Sequence, residues 1–123
     1  MAQNFETLRN KMVEEQLVKR KIKSEAVLEA MRTVPRHLFV PKNMQNYAYN
    51  DSPLPIGLEQ TISQPYIVAY MTELLEPKAD MKIPEIGTGS GYQAAFYHIL
   101  AVKSIQLNCI KNLLSEQKQY LTI

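Results

Sequence analysis

The segment Glu85-Ile86-Gly87-Thr88-Gly89-Ser90-Gly91-Tyr92 sets a carboxylate ahead of three glycines at alternate positions, where an apolar stretch gives way to a helical pattern. Glycine adopts positive φ and has no Cβ, so three of them let the backbone leave a strand sharply and approach a bulky ligand closely. The chemistry this suits is binding of a nucleotide-type cofactor, with an adenosyl moiety lying against the turn. A strand-to-helix turn also uses glycine merely for packing, so the trio alone leaves both readings open. Glu85 adds a second feature. At the end of an otherwise apolar strand a carboxylate is costly to bury unless a donor or a cation faces it. S-adenosylmethionine carries an ammonium and a sulfonium centre, and either meets that requirement. The spacing G-x-G-x-G also differs from the G-x-G-x-x-G of dinucleotide enzymes, where a pyrophosphate meets the first helical turn, so this loop suits a cofactor without phosphate. A ribose needs a partner at the end of the next strand, about 20 residues further on, and Gln106 stands there in Ser104-Ile105-Gln106. An amide lacks the charge that makes such a bond roughly twice as strong, so weakened cofactor affinity is expected. The alternative is that Gln106 is only a polar residue at a strand end.

Elements must position these groups. Phe5, Leu8, Met12, Val13 and Leu17 recur at helical spacing, which predicts an amphipathic helix over residues 3 to 20. A second helix begins at Ser24, its cap, carries Val27, Ala30, Met31 and Val34 on its apolar face and stops before Pro35. Arg36 to Pro41 is expected to be extended. Residues 51 to 62 hold two prolines and a glycine with no helical period and read as a shaped loop. Ser63-Gln64-Pro65 resembles a helix start, with Ile67, Met71, Leu74 and Leu75 as the buried face and Pro77 as the stop. Met81 to Ile86 is then predicted as the first strand of a parallel sheet, Gly91 to Leu100 as a helix, Val102 to Leu107 as a second strand and Lys111 to Tyr120 as a further helix. Three helices followed by β-α-β-α describe a helical segment in front of an open doubly wound α/β sheet, with the glycine loop at the carboxyl end of its first strand.

Composition excludes several classes. A chain of 123 residues with 46% hydrophobic residues supports one core and one domain. With 14 basic and 12 acidic residues the charge is nearly balanced, the basic residues are scattered apart from Lys19-Arg20-Lys21, and the three phenylalanines and seven tyrosines do not interleave with them. That disfavours a nucleic-acid partner. Three adjacent charges usually mark a solvated helix end. Cys109 is the only cysteine, which excludes an internal disulfide or a multi-cysteine metal site and fits a reducing compartment, so a cytoplasmic location is expected. The N-terminus lacks the apolar core of a signal peptide, and no run approaches the ~20 apolar residues of a membrane span. His37 and His98 read as structural residues, and Cys109 as a small buried one.

Five motifs in order carry a resemblance: Met12-Val-Glu-Glu-Gln-Leu17, Val34-Pro-Arg-His-Leu-Phe-Val-Pro41, Pro53-Leu-Pro-Ile-Gly57, Gln60-Thr-Ile-Ser-Gln-Pro-Tyr-Ile-Val68 and Glu85-Ile-Gly-Thr-Gly-Ser-Gly-Tyr-Gln-Ala-Ala95. Together they resemble the protein-L-isoaspartate O-methyltransferases, S-adenosylmethionine-dependent repair enzymes that act on damaged aspartyl and asparaginyl sites in proteins. The resemblance implies a Rossmann-like S-adenosylmethionine-dependent methyltransferase fold, an α/β fold that is incomplete here, with an N-terminal helical segment. Residues 1–76 would supply the helices and substrate loop, and residues 77–123 the start of the cofactor-binding parallel sheet, in a single partial domain. It also implies that Glu85, Gly87, Thr88, Gly89, Ser90 and Gly91 cradle the cofactor, with Gln106 where the family has an acidic ribose ligand. Ser63 takes the catalytic position, facing the transferable methyl and the substrate carboxylate, while Gln60, Thr61 and Gln64 shape the substrate pocket and the Pro53 to Gly57 loop helps hold the peptide. For Ser63 the plainer reading is a helix cap.

Members of that family continue through further strands that complete the sheet. A sheet of two parallel strands has unpaired edges and an uncovered apolar face, so instability or self-association through those edges is expected. Pro84 lies inside the first strand, where proline removes a ladder hydrogen bond, which puts that strand in question. Two functions stay open on this reading: carboxyl methyl transfer to isoaspartyl proteins, and a non-catalytic remnant that binds cofactor weakly or acts as an interaction module.

Overall fold

The computed structural model describes residues 2–87, 89–100 and 102–107. The first predicted helix is two pieces. Helix α1, Phe5–Met12, is capped by Asn4, whose Oδ1 accepts a hydrogen bond from the Thr7 N–H at 3.1 Å. It runs into a π-helical turn, Val13–Val18, where the Lys19 N–H reaches back to the Glu14 carbonyl. A wider turn of this kind alters the phase of the side chains. Here Met12, Val13 and Leu17 all reach the core, at 2%, 0% and 0% exposure.

Helix α2, Glu25–Thr33, starts at Ser24 as predicted, with Oγ accepting from the Val27 N–H, and ends before Pro35. Val27, Ala30, Met31 and Val34 are buried, and Leu28 joins them. The following segment departs from expectation. Arg36–Phe39 forms a 3₁₀ turn, with the Leu38 N–H donating to the Pro35 carbonyl at 2.9 Å. Residues three apart eclipse in that geometry, so Arg36 and Phe39 both turn inward. A second 3₁₀ turn, Lys42–Tyr47, follows.

Residues 51 to 62 are a packed element as well as a loop, which corrects the sequence reading. Strand β1, Leu54–Gly57, pairs antiparallel with β2, Gln60–Ile62, and Leu54, Ile56 and Ile62 point into the core. Prolines 53 and 55 hide the two-residue alternation, yet proline is tolerated on an edge strand. Leu58 and Glu59 connect the strands at φ of 51° and 56°. Two left-handed central residues give the hairpin turn that matches strand twist.

Helix α3, Pro65–Leu75, begins with proline in its first turn as expected and ends where Glu76 turns left-handed ahead of Pro77. Its buried residues are Pro65, Val68, Ala69 and Thr72. Ile67, Met71, Leu74 and Leu75, expected inside, are 37%, 58%, 64% and 45% exposed. Small side chains on one stripe let α2 and the π-turn close against α3, which turns the large stripe outward.

Strand β3, Lys82–Ile86, forms straight through Pro84 and pairs in parallel with β4, Lys103–Leu107. Among the described residues β3 pairs with β4 alone, so it has a free edge, a setting in which sheets accept proline. Helix α4, Tyr92–Ile99, joins the two strands and packs on them through Tyr97, against Ile83 and Val102. Its other face, with Tyr92 and Phe96, belongs to the helical core. Fully burying a side chain of this size contributes roughly 1.5–3 kcal/mol, so α4 is the joint between the helical layer and the sheet. The predicted helix at 111–120 and Cys109 lie outside the described residues.

Candidate functional site

The glycine turn follows β3 directly. Gly87, Gly89 and Gly91 have φ of 73°, 55° and 82°. A Cβ placed on Gly87 would meet nothing within 4 Å, and one on Gly89 would make only ordinary contacts at 3.8 and 3.9 Å. These glycines are therefore required by the left-handed backbone and not by crowding, and the space above Gly87 is open. Gly91 is the N-cap of α4, and Ser90, buried, accepts a hydrogen bond from the Tyr92 N–H at 3.2 Å.

The turn forms one wall of a cleft whose other wall is the chain just before α3. Gln60, Thr61, Ile62 and Ser63 on one side face Glu85, Gly87, Gly89 and Ser90 on the other, with Gln93 at the side, around about 130 Å³. A broader groove of about 590 Å³ adjoins it and shares Ser63, Glu85, Gly87 and Gln93. The structure thus brings most of the predicted residues together although more than 20 positions of sequence separate Ser63 from Glu85. Gln64 is set apart: its side-chain amide donates to Asp51 at 2.5 Å, and Asp51 is also paired with Arg20, which lies over the Tyr66 ring. Arg20 is thereby a link between the first helix and the loop before the cleft, and not merely a solvated helix end. Gln106 stands opposite Glu85 in the parallel register, at the same end of the strand pair. Thr88 and the side chain of Gln106 lie outside the described residues.

Glu85 is the chemically unusual group. Burial pushes its carboxyl up to about 7 from an ordinary 4.5. Among the described residues its Oε2 has no hydrogen-bond partner. Among the described residues no lysine or arginine lines either cavity. A site with one buried carboxylate and no cation repels phosphate and favours a ligand that carries positive charge. Tyr97 beside it is raised too, first by burial and then by the Glu85 charge.

Two lining residues escaped sequence reasoning. Gln93 donates to Thr72 Oγ1 at 2.7 Å, and Thr72 in turn donates to the Val68 carbonyl at 2.7 Å, so the helix that carries Gln93 is tied to α3 across the groove. Tyr97 lies one turn on. The signal available was polar tips at positions 93 and 97, four apart on an otherwise apolar helix. His37 is packed in place, in line with a structural role: its Nδ1 is 2.8 Å from the Tyr49 hydroxyl and its ring stacks on Phe5 at 4.0 Å. His98 is exposed and lines neither cavity.

Behind the turn, Arg36 is fully buried. Its Nε donates to the Ala48 carbonyl at 2.6 Å and its guanidinium lies 5.0 Å from the centre of the Tyr92 ring. Burial lowers its pKa, and the Tyr92 ring offsets part of that cost. The segment ahead of the hairpin is thus fastened to the first residue of α4.

Comparison with known proteins follows the same lines. Residues 7–122 match the family described as protein-L-isoaspartate(D-aspartate) O-methyltransferase. A protein-L-isoaspartate O-methyltransferase 1 of Syntrophobacter fumaroxidans is 54% identical over 118 residues, 96% of this chain and 55% of that protein. A protein-L-isoaspartate O-methyltransferase of Opitutus terrae is 66% identical over 87 residues, 71% of this chain and 37% of its own length. The chain spans about half the length, or less, of these relatives. A crystal structure of a beta-aspartate methyltransferase from Plasmodium falciparum in complex with S-adenosyl-L-homocysteine superposes with a TM-score of 0.76 at 23% identity, covering 90% of this chain and 53% of that one. The fold is therefore that of the methyltransferases, present in part.

Proposed function

The chain belongs to the protein-L-isoaspartate(D-aspartate) O-methyltransferase family, and we propose that it binds S-adenosylmethionine in the Glu85 cleft and serves methyl transfer to the free α-carboxylate of L-isoaspartyl and D-aspartyl residues in damaged proteins. The observation that carries this reading is the buried Glu85 oxygen, without a hydrogen-bond partner or a basic neighbour in the cleft among the described residues. It supports a cationic ligand. S-adenosylmethionine, when bound, supplies a methyl group on a positively charged sulfur.

The residues present suit that group and the substrate. Glu85 would hold the cationic end, the backbone of Gly87, Thr88, Gly89, Ser90 and Gly91 would cradle the remainder, and Gln106 would take the ribose, with a neutral and hence weaker bond. The substrate carboxylate titrates at about pH 3.5 and is ionised at neutral pH, so no general base is required. Ser63, exposed at the mouth of both cavities, would donate a hydrogen bond to the carboxylate and orient it, with Gln60 and Thr61 beside it. Gln64, held by Asp51, would fix the chain that presents them. Alignment of this kind supplies roughly 7 to 11 kcal/mol of barrier reduction. Protein substrates, with neither nucleic acid nor membrane as partner, and a cytoplasmic location complete the reading. It is supported by the balanced charge, the lone cysteine and the absence, among the described residues, of a helix long and apolar enough to cross a membrane.

A second reading is that these 123 residues, a remnant in the sense given above, bind cofactor without turning over. Two measurements separate them. Ligand that binds only the folded form stabilises it by RT ln(1 + [L]/Kd), about 2.7 kcal/mol at a hundredfold excess over Kd. A melt with S-adenosylhomocysteine should show that shift in the wild type, and methyl-ester formation on an isoaspartyl peptide should fall on Ser63→Ala. A shift without methylation above a no-protein control supports the remnant, and no shift at millimolar ligand rejects cofactor binding.

A further inference from the structure

Ser63 is given the task of orienting a carboxylate, yet among the described residues its side chain makes no hydrogen bond of its own. Its direction is therefore set by the chain on either side. Gln64, the next residue, is the N-cap of α3 but makes no capping bond; its amide reaches instead to Asp51, 13 positions earlier, at 2.5 Å. The two Asp51 carboxylate oxygens also accept the two arms of the Arg20 guanidinium, a fork-on-fork pairing that fixes angle as well as distance. That guanidinium lies 5.2 Å from the centre of the Tyr66 ring, in the first turn of α3. Two links from one junction thus close on positions 64 and 66, where the chain carries Ser63 into its helix.

The junction is itself held from behind. Residues 48–51 lie in neither helix nor strand, and side chains from the N-terminal elements fix them. Arg36 Nε donates to the Ala48 carbonyl at 2.6 Å, Gln16 Nε2 donates to the Tyr49 carbonyl at 2.8 Å, and His37 Nδ1 is 2.8 Å from the Tyr49 hydroxyl. Gln16 belongs to the Met12 to Leu17 motif, and this bond gives that motif a use the cleft alone does not. Hydrogen bonds from Arg20 first and then from Gln64 hold the Asp51 carboxyl below its usual 3.8, so it remains a charged acceptor at neutral pH. With the Arg20 and Asp51 side chains 41% and 33% exposed, the ion pair contributes little to stability. Its effect is to aim the chain.

We propose that Asp51 is a positioning residue for the reaction: through Gln64, and through Arg20 to Tyr66, it holds residues 63–66 at the angle that presents the Ser63 hydroxyl to the substrate carboxylate. Asp51 acts on substrate only by way of that chain. Its role rests on the function given to Ser63 above and is separate from the Glu85 wall, since among the described residues no hydrogen bond of Asp51 reaches β3, the glycine turn or α4.

Three measurements on the 123-residue chain test this: amide hydrogen exchange without ligand, affinity for S-adenosylhomocysteine, and affinity for an isoaspartyl peptide with S-adenosylhomocysteine saturating. Asp51→Ala should speed exchange over residues 61–68 and leave α4 as in the wild type. It should weaken the peptide about 3- to 10-fold and change S-adenosylhomocysteine affinity by less than about twofold. Asp51→Asn keeps an acceptor for Gln64 but gives up the charge that Arg20 pairs with, and should fall between wild type and alanine. Gln64→Ala should add little to Asp51→Ala, because both remove the same link. A purely structural contribution would weaken both ligands together. Unchanged exchange over 61–68, equal losses for the two ligands, or fully additive losses in the double variant would overturn the assignment. A wild-type chain that binds no isoaspartyl peptide, while its 61–68 exchange still follows Asp51, would refute the substrate reading and uphold the hold of Asp51 on the Ser63 chain.

Discussion

Replacing Glu85 by glutamine keeps the shape of the cleft and removes the group that titrates at about 7. The sign follows from linkage. Because the folded-state pKa lies above the ordinary 4.5, the folded chain holds this proton more tightly than the unfolded one. The resulting stability is full below about 4.5, falls as pH rises, and is gone above about 7. At 1.36 kcal/mol per pH unit that displacement amounts to at most about 3 kcal/mol, and contact of the carboxyl with water leaves an expected about 1–2 kcal/mol. The assay is urea denaturation of both proteins between about pH 4.5 and pH 8. Their stability difference should change by that amount across the window, the wild type losing ground as pH rises. His37 works in the opposite sense, since burial lowers its pKa, and it cancels in the difference because both proteins carry it. A ligand bearing an ammonium group should draw the Glu85 proton off, so affinity for S-adenosylhomocysteine should rise about 5- to 30-fold from pH 5 to pH 8 in the wild type and stay flat in the variant. Parallel stability profiles for the two proteins, or a ligand affinity indifferent to pH in both, would refute the argument that this buried carboxylate awaits a cation.

Two further substitutions test the frame around the cleft. Arg36→Met should cost about 1–3 kcal/mol in urea denaturation, because it strands the Ala48 carbonyl while relieving a buried charge. Arg36→Lys should cost more than Met, since it also loses the guanidinium's contact with Tyr92 and its fork of donors but keeps a charge buried, and equal losses would show that the retained charge costs nothing. Glu73→Ala should cost about 1–2 kcal/mol, as Glu73 accepts from the Lys23 and Ser24 N–H groups at 2.6 and 2.7 Å at the start of α2. Glu73→Gln should recover about half of that.

The helices were legible where one face is apolar and the cap is explicit. Ser24 and the 27, 30, 31, 34 stripe gave α2, and Pro65 gave the start of α3. Three local features were not legible, for different reasons. The π-turn depends on several core contacts being met at once, which periodicity averages away. The 3₁₀ turn at Arg36 depends on burying an arginine, and composition argues against that until Ala48 and Tyr92 are brought alongside it. The hairpin at 54–62 carries prolines that read as loop, and its turn residues Leu58 and Glu59 are poor left-handed formers, held there by the pairing on either side.

The site was legible in its residues and not in its walls. Glycines, an acid and a serine name the groups, but only the packing of α3 against α2 and α4 decides that Ser63 comes to face Glu85. The error over α3 is informative for the same reason. Its sequence is apolar on more than one side, so periodicity marked the bulky stripe as the core, whereas the close approach of α2 favours the stripe of Val68, Ala69 and Thr72. Among the described residues α2 and the π-turn take up that stripe, and the bulky stripe is left exposed. That exposed stripe borders the cleft itself, since Ser63, Glu85 and Gln93 line both cavities.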